Sequence, residues 1–271
     1  MNKTPIIKTL WIGGSLSRLE YVCLNSFLVA GHEVHLYVYE DVKNIPEGVT
    51  VLDANEIVDK NEIFTYGGVA GKGKGSVAGF ANYFRYKMLY ESSNSFWVDA
   101  DVICLKKFEI NSEIIAGYES VDFINNAVIG VKEANHYLFN DLVSYCKNPY
   151  ALKKWDSIKQ IIKKLIARTI GKKSMSFLPW GTTGPKALTG FMEKHSIEAC
   201  PVKDFYPIAS IEWRDIFFNE ANFSKLNDSY AIHLWNEQLR REGIDKNSIF
   251  DERSLYESLI KKLNIDYETE T

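Results

Sequence analysis

The chain has 271 residues, 46% hydrophobic and 25% charged, with a net charge of −3, a composition that excludes a disordered or collagenous chain and carries no basic excess for nucleic acid. Its four cysteines, Cys23, Cys104, Cys146 and Cys200, stand far apart with no CxxC pair, which excludes a disulfide framework or thiolate zinc site and fits a reducing compartment. "MNKTPIIKTLWIGG" lacks the apolar core of a signal peptide, and no apolar run reaches the roughly 20 residues of a membrane span, so a cytoplasmic protein is expected.

"IIKTLWIG" (6–13) reads as a strand ending at Gly13-Gly14. "SRLEYVCLNSFLVAG" (17–31) places Leu19, Val22, Cys23, Phe27 and Ala30 at helical spacing, with Gly31 as a stop. "HEVHLYVYE" (32–40) alternates as a strand, and "VTVLDAN" (49–55) is a short strand or turn. The glycine-rich "GGVAGKGKGS" (67–76) nearly matches a phosphate loop, but it lacks the Ser/Thr after Gly73-Lys74 and no strand feeds it, so that reading is rejected. "AGFANYFRYKMLYES" (78–92) predicts a helix and "SFWVDADVICL" (95–105) a third main strand. Strands alternating with helices predict an α/β fold with a mainly parallel sheet and helices on both faces, binding ligands at the carboxyl ends of its strands.

Beyond residue 110 the pattern loosens. "VDFINNAVIGVK" (121–132) predicts a strand, "EANHYLFNDLVSYCK" (133–147) a helix, and "YAIHLWN" (230–236) a short strand or loop. "FLPWGTTGPKALTGFMEKH" (177–195) predicts a loop opening a helix at Pro185, where the missing N–H costs nothing. Residues 151–173 carry eight Lys/Arg against one Asp, with Leu152, Trp155, Ile158, Ile162, Leu165, Ile166 and Ile170 at helical spacing. That predicts a basic amphipathic helix, suited either to an anionic membrane surface or to packing on the core.

The chemistry is expected at Asp99 and Asp101. In an extended chain residues i and i+2 point the same way, so the two carboxylates converge inside an apolar run. Like charges so close repel, and a hard divalent cation such as Mn²⁺ or Mg²⁺ removes the penalty. The plainer reading is a solvated turn.

The stretch resembles the D-x-D motif of the GT-A glycosyltransferases, in particular a family of retaining sugar transferases. That family spans capsular-polysaccharide and lipopolysaccharide transferases and α-1,4-galactosyltransferases of the globotriaosylceramide-synthase type, and distantly the glucosylating clostridial toxins. "TLWIGG" (9–14), "FANYFRYKMLY" (80–90), "NNAVIG" (125–130) and "HLWN" (233–236) resemble further family segments in the same order. The resemblance covers most of the chain and is weakest over about residues 140–175. Two positions depart from it: Asn82 stands where the family has aspartate, and "SSN" (92–94) replaces a glycine pair.

The resemblance implies a GT-A-like, Rossmann-like domain over 1–271, with a nucleotide-sugar half (1–110) and an acceptor half (111–271). It implies Asp99, Asp101 and His233 as ligands of Mn²⁺ or Mg²⁺, with His233 otherwise a core histidine. It implies Trp11, Ile12, Gly13, Asn82, Arg85, Asp99, Ala100, Asn125 and Asn236 around a nucleotide-sugar donor, a UDP-hexose, with Trp11 stacked on the base. Asn126 joins the two aspartates as catalytic, and Trp180, Gly181, Thr182 and Gly184 shape the side of a glycan or lipid-linked glycan acceptor. The activity implied is hexosyl transfer with retention in surface polysaccharide synthesis, at the cytoplasmic face of a membrane. A non-catalytic relic that binds nucleotide sugar or glycan, and a metal-dependent phosphohydrolase, remain alternatives.

Overall fold

The computed structural model describes residues 3–66, 75–169, 171 and 181–267. Strand β1 (Ile6–Trp11) leads into helix α1 (Arg18–Val29), whose start is fixed by Ser17 N–H donating to Glu20 Oε2 at 2.9 Å and whose exit turns at Gly31, φ +81°. Strands β2 (Val34–Val38) and β3 (Val49–Asp53), helix α2 (Ala78–Tyr90) and strand β4 (Ser95–Val98) follow. The expected third main strand is broken: Ala100 and Asp101 turn the chain, and β5 (Val102–Cys104) continues in a different sheet. Strands β6 (Ile114–Ser120) and β7 (Phe123–Val131) form a hairpin.

The main sheet runs β3-β2-β1-β4-β7-β6. β3, β2, β1 and β4 pair in parallel, β7 joins β4 antiparallel, and β6 closes the edge antiparallel to β7. This is the expected α/β architecture with a mainly parallel sheet, its parallel half formed by the βα repeats of the first 100 residues. Alternation along β1 and β4 sends Ile7, Phe96 and Val98 to one apolar core and Leu10 and Trp97 to the other. α1 packs in the first core. α2, α3 (Tyr137–Lys147) and α5 (Pro185–Lys194) pack in the second, so both faces are covered.

Helix α4 (Ile158–Thr169) is shorter than the 151–173 read from hydrophobic spacing. The reason is a capping box: Ser157 N–H donates to Gln160 Oε1 at 2.9 Å, and Gln160 N–H returns to Ser157 Oγ at 3.4 Å. Upstream, Lys153 N–H donates to Asp156 Oδ2 at 2.8 Å in a turn, and Trp155 leaves the helical stripe to pack on Phe191 with ring centroids 4.9 Å apart. Residues 170, 172 and 173 lie outside the described residues, as does most of the glycine-rich stretch, 67–74.

The C-terminal third adds α6 (Val202–Phe205), α7 (Arg214–Phe217), β8 (Ala231–His233), α8 (Asn236–Glu242) and α9 (Leu255–Leu263). β8 pairs antiparallel with β5, setting His233 opposite Val102. Among the described residues no helix is long and apolar enough to cross a membrane.

β7 crosses β4 with Gly130 opposite Phe96. A Cβ on Gly130 would stand 2.6 Å from the Phe96 ring, which is buried against Phe108 at a centroid distance of 5.0 Å. The ring has no room to swing, so Gly130→Ala should destabilise the protein by about 1–3 kcal/mol as overpacking. A lowered urea midpoint at unchanged slope is the expected reading.

Candidate metal and donor site

The site begins where β4 ends. Asp99 N–H donates to Ala127 O at 2.8 Å, the last link to the sheet before the chain turns. Its carboxylate then accepts from Trp97 Nε1 at 2.7 Å and faces Arg85 Nη2 at 3.1 Å. Arg85 comes from α2, nearly buried. Its guanidinium carbon lies 4.7 Å from the centre of the Trp97 ring, and Nη1 donates to Asn126 O. The arginine therefore holds one edge of the acidic pair.

Asp101 is held from the other end of the chain. Its main-chain carbonyl accepts from Leu234 N–H at 2.8 Å, and its Oδ2 accepts from Asn236 N–H at 2.9 Å and lies 3.2 Å from His233 Nε2. The β5–β8 pairing brings the histidine there. Trp235, between His233 and the helix, takes φ +58°, an unusual value for a bulky residue. That turn points its indole N–H at Ile208 O, 2.9 Å away, and starts α8 with Asn236 N–H aimed at the carboxylate.

Oxygens of Asp99 and Asp101 and a ring nitrogen of His233 all lie within 4.8 Å of one another. The convergence expected from extended alternation is achieved by the turn instead. Burial pushes the Asp99 carboxyl up, and Arg85 offsets this only in part. Burial also acts on Asp101, but His233 and the Asn236 N–H outweigh it and hold this carboxyl below the usual range. Burial lowers His233, but Asp101 and then Asp99 outweigh it and leave the imidazole raised. His233 Nδ1 is buried without a hydrogen-bond partner among the described residues. Two carboxylates and an imidazole at this spacing, with one arginine to offset them, fit a divalent cation of the Mg²⁺/Mn²⁺ class.

The cluster lines a cavity of about 540 Å³, together with Asn82, Arg85, Asn125, Asn126, Gly181 and Thr182. Asn126 Nδ2 donates to Asn82 Oδ1 at 2.8 Å, and Asn82 Nδ2 reaches Thr183 Oγ1 at 3.4 Å. The asparagine that departs from the family pattern is thus a link between β7 and the segment before α5, using its amide as both acceptor and donor. Gly184 sits against it: a Cβ there would come 2.9 Å from Asn82 Nδ2. Ala100 lies in the turn itself, and Asn236 touches the site through its main chain. Trp11, Ile12 and Gly13 are not among the residues lining this cavity. The Trp11 indole donates to Ser15 O at 3.1 Å and has Lys246 Nζ 5.0 Å from its ring centre. Trp180 lies outside the described residues.

Sequence reasoning missed Glu119, Gln160, Lys186, Trp235 and Arg241, which also line the cavity. Glu119 accepts from Asn125 Nδ2 at 2.8 Å. Its strand, "IIAGYES", has apolar residues on both faces and so shows no alternation that would have marked an inward acid.

Residues 178–263 match the alpha 1,4-glycosyltransferase conserved region. That match supports a glycosyltransferase. The matched stretch holds α5, β8 and His233, while Asp99 and Asp101 lie outside it. No curated protein matches the chain. Solved structures similar to it include mouse xyloside xylosyltransferase 1 in its apo form, 10% identical over 84% of this chain and 96% of that one, with a TM-score of 0.43. They also include a transferase carrying two cysteine-to-serine substitutions, 12% identical over 66% of this chain and 89% of that one, TM-score 0.38. A third is named simply as a transferase, 10% identical over 66% and 88%, TM-score 0.36.

The opposed shifts set a pH window for the metal-free protein. His233 is raised, so its protonated pairing with Asp101 stabilises fully below the unfolded value near 6.5 and fades as pH rises through the folded value. Asp101 is lowered, so its contribution holds above about 3.9 and is lost as pH falls through the folded value. With chelator present, His233→Asn should lower Tm most near about pH 5, and the gap from wild type should narrow as pH rises through the raised His233 value. A gap that widens with pH would contradict the pairing.

Proposed function

We propose that the chain is a metal-dependent glycosyltransferase of one GT-A-like domain. It moves a hexose from a UDP-linked donor to a glycan or lipid-linked glycan acceptor in surface polysaccharide synthesis, with retention, in the cytoplasm. The observation that carries this is the Asp99–Asp101–His233 cluster in the cavity, with His233 supplied by the segment that matches the glycosyltransferase region. UDP, hexose and retention follow from the resemblance of the D-x-D stretch.

Asp99, Asp101 and His233 would hold the cation, Mn²⁺ being the one that best tolerates imidazole beside carboxylates. When bound, the cation neutralises the diphosphate of the donor. The remaining work belongs to the chain. Arg85 is committed to Asp99 and Asn126 O, so it fixes the direction of the carboxylate rather than meeting the sugar itself. Asn236 N–H does the same for Asp101. Asn125 and Asn126, which line the cavity from β7, would hydrogen-bond donor hydroxyls. Asn126 is braced by Asn82, and Asn125 by the main chain of Ala127, whose N–H it accepts at 2.7 Å. Trp11, Ile12, Gly13 and Ala100 complete the proposed donor contacts, and Gly181, Thr182, Gly184 and Trp180 the acceptor side.

Asp101→Asn should abolish Mn²⁺-dependent protection by UDP against thermal unfolding. It should also cut hydrolysis of the preferred nucleotide sugar by more than about 100-fold, since even residues behind a metal's ligands cost about 10–100-fold. Near-normal turnover in a folded variant would remove the metal assignment. A chain that binds UDP–Mn²⁺ normally yet transfers and hydrolyses nothing across a donor panel would be a binding relic.

Metal affinity should also follow pH. The imidazole must lose its proton to ligate, so Mn²⁺ affinity should rise with pH through the raised His233 value. His233→Ala should weaken affinity and flatten that rise in titrations with UDP present, whereas identical profiles would show a metal held by carboxylates alone.

A further inference from the structure

Helix α4 is amphipathic in the wrong sense for a globular protein. Its apolar residues face out: Ile158 is 78% exposed, Ile162 52%, Leu165 45% and Ile166 54%. At 100° per residue these four side chains fall within about 100° of arc, a single stripe. The opposite side, toward the protein, carries Gln160, Lys164 and Ala167. Lys164 is buried, bonded to Asp156 Oδ2 at 2.8 Å, to Tyr145 OH at 3.0 Å and to Ala151 O at 3.0 Å. The helix is therefore fastened by a buried ion pair while its oily side meets solvent. A helix stabilised by core packing would be turned the other way.

The flanks of the stripe are cationic. Lys159 and Lys163 border one edge and Arg168 the other, all exposed, and Lys154 precedes the helix. Lysine and arginine beside exposed isoleucine and leucine, with no acid on the helix, is the surface that lies in the headgroup layer of an anionic bilayer.

The inward side of the same helix reaches the cavity. Gln160 lines it and accepts a hydrogen bond from Lys186 Nζ, and Lys186 lines it too. The cavity wall and the exposed stripe are thus opposite sides of one helix, about 10–12 Å apart.

We propose that the exposed face of α4 docks on an anionic membrane and that this contact presents the cavity to an acceptor held in the same lipid surface. The acceptor clause rests on the glycosyltransferase reading; the docking does not. The apolar stripe inserts between headgroups and the flanking cations meet lipid phosphates.

The test uses the full chain with phosphatidylcholine vesicles, with and without phosphatidylglycerol. Wild type should co-sediment with the phosphatidylglycerol vesicles at low salt, release at high salt, and ignore pure phosphatidylcholine. Two variants separate the forces, both at exposed positions the fold does not need. Ile162→Asp with Ile166→Asp removes the stripe, and Lys159→Glu with Lys163→Glu reverses one flank. Each should lower the vesicle-bound fraction by at least about tenfold while leaving Mn²⁺–UDP protection unchanged. Absence of binding to anionic vesicles at low salt overturns the proposal, as does binding that neither variant weakens. A wild-type dimer in solution that the isoleucine variant dissolves also overturns it, because the stripe is then covered by a second copy. Vesicle binding without any nucleotide-sugar binding would leave the docking standing and remove the glycosyltransferase reading with the acceptor clause.

Discussion

Two carboxylates one residue apart, mostly withdrawn from water, are the constraint around which the cavity is arranged. Their mutual repulsion and their desolvation both oppose ionisation, and in isolation one of them would stay protonated. The chain answers from opposite sides. Arg85, clamped against Trp97, serves Asp99, while His233 and the Asn236 N–H serve Asp101. The two supports are unequal. An arginine keeps its charge at any relevant pH, whereas an imidazole can surrender its proton. The Asp101 side can therefore exchange the imidazole proton for a cation, while Arg85 stays beside Asp99.

The sheet serves this arrangement. Parallel pairing of β1 with β4 delivers the chain to the carboxyl edge, and the antiparallel β7 fills the next place, so that its Asn125–Ala127 segment runs beside the turn. Breaking the strand at Ala100 lets β5 leave the sheet and find β8. Had β4 run on unbroken, Asp101 would have remained in the main sheet beside β7, beyond reach of the histidine.

The parts of the site readable from sequence are those where a residue violates its surroundings. Acids inside "FWV…VICL" and an arginine among aromatic rings in α2 stand out because burying charge is costly. His233 was reachable only through its "HLWN" context, since a lone histidine has no periodic signature. α1, α2 and the parallel strands were legible because each buries a face with the right period. The turn at Ala100, the hairpin strand β6 with its Glu119, and the true start of α4 were not legible, because tertiary pairing and a side-chain cap decide them. The composition of α4 was visible as basic and amphipathic. Which side faced the protein was not, because a buried Lys164–Asp156 pair reverses the rule that apolar residues point inward.

The pairing of β5 with β8 joins residues about 130 positions apart, Val102 with His233. Contacts of such long range form late, because a large loop must close before they return any stabilisation. During synthesis the parallel half of the sheet can assemble as soon as β4 emerges, but Asp101 must wait with only Asp99 and Arg85 nearby. The acidic turn is satisfied only once the segment carrying His233 and Asn236 has emerged. A cation that bound the finished cluster would favour the closed C-terminal third, since a ligand stabilises the state that binds it.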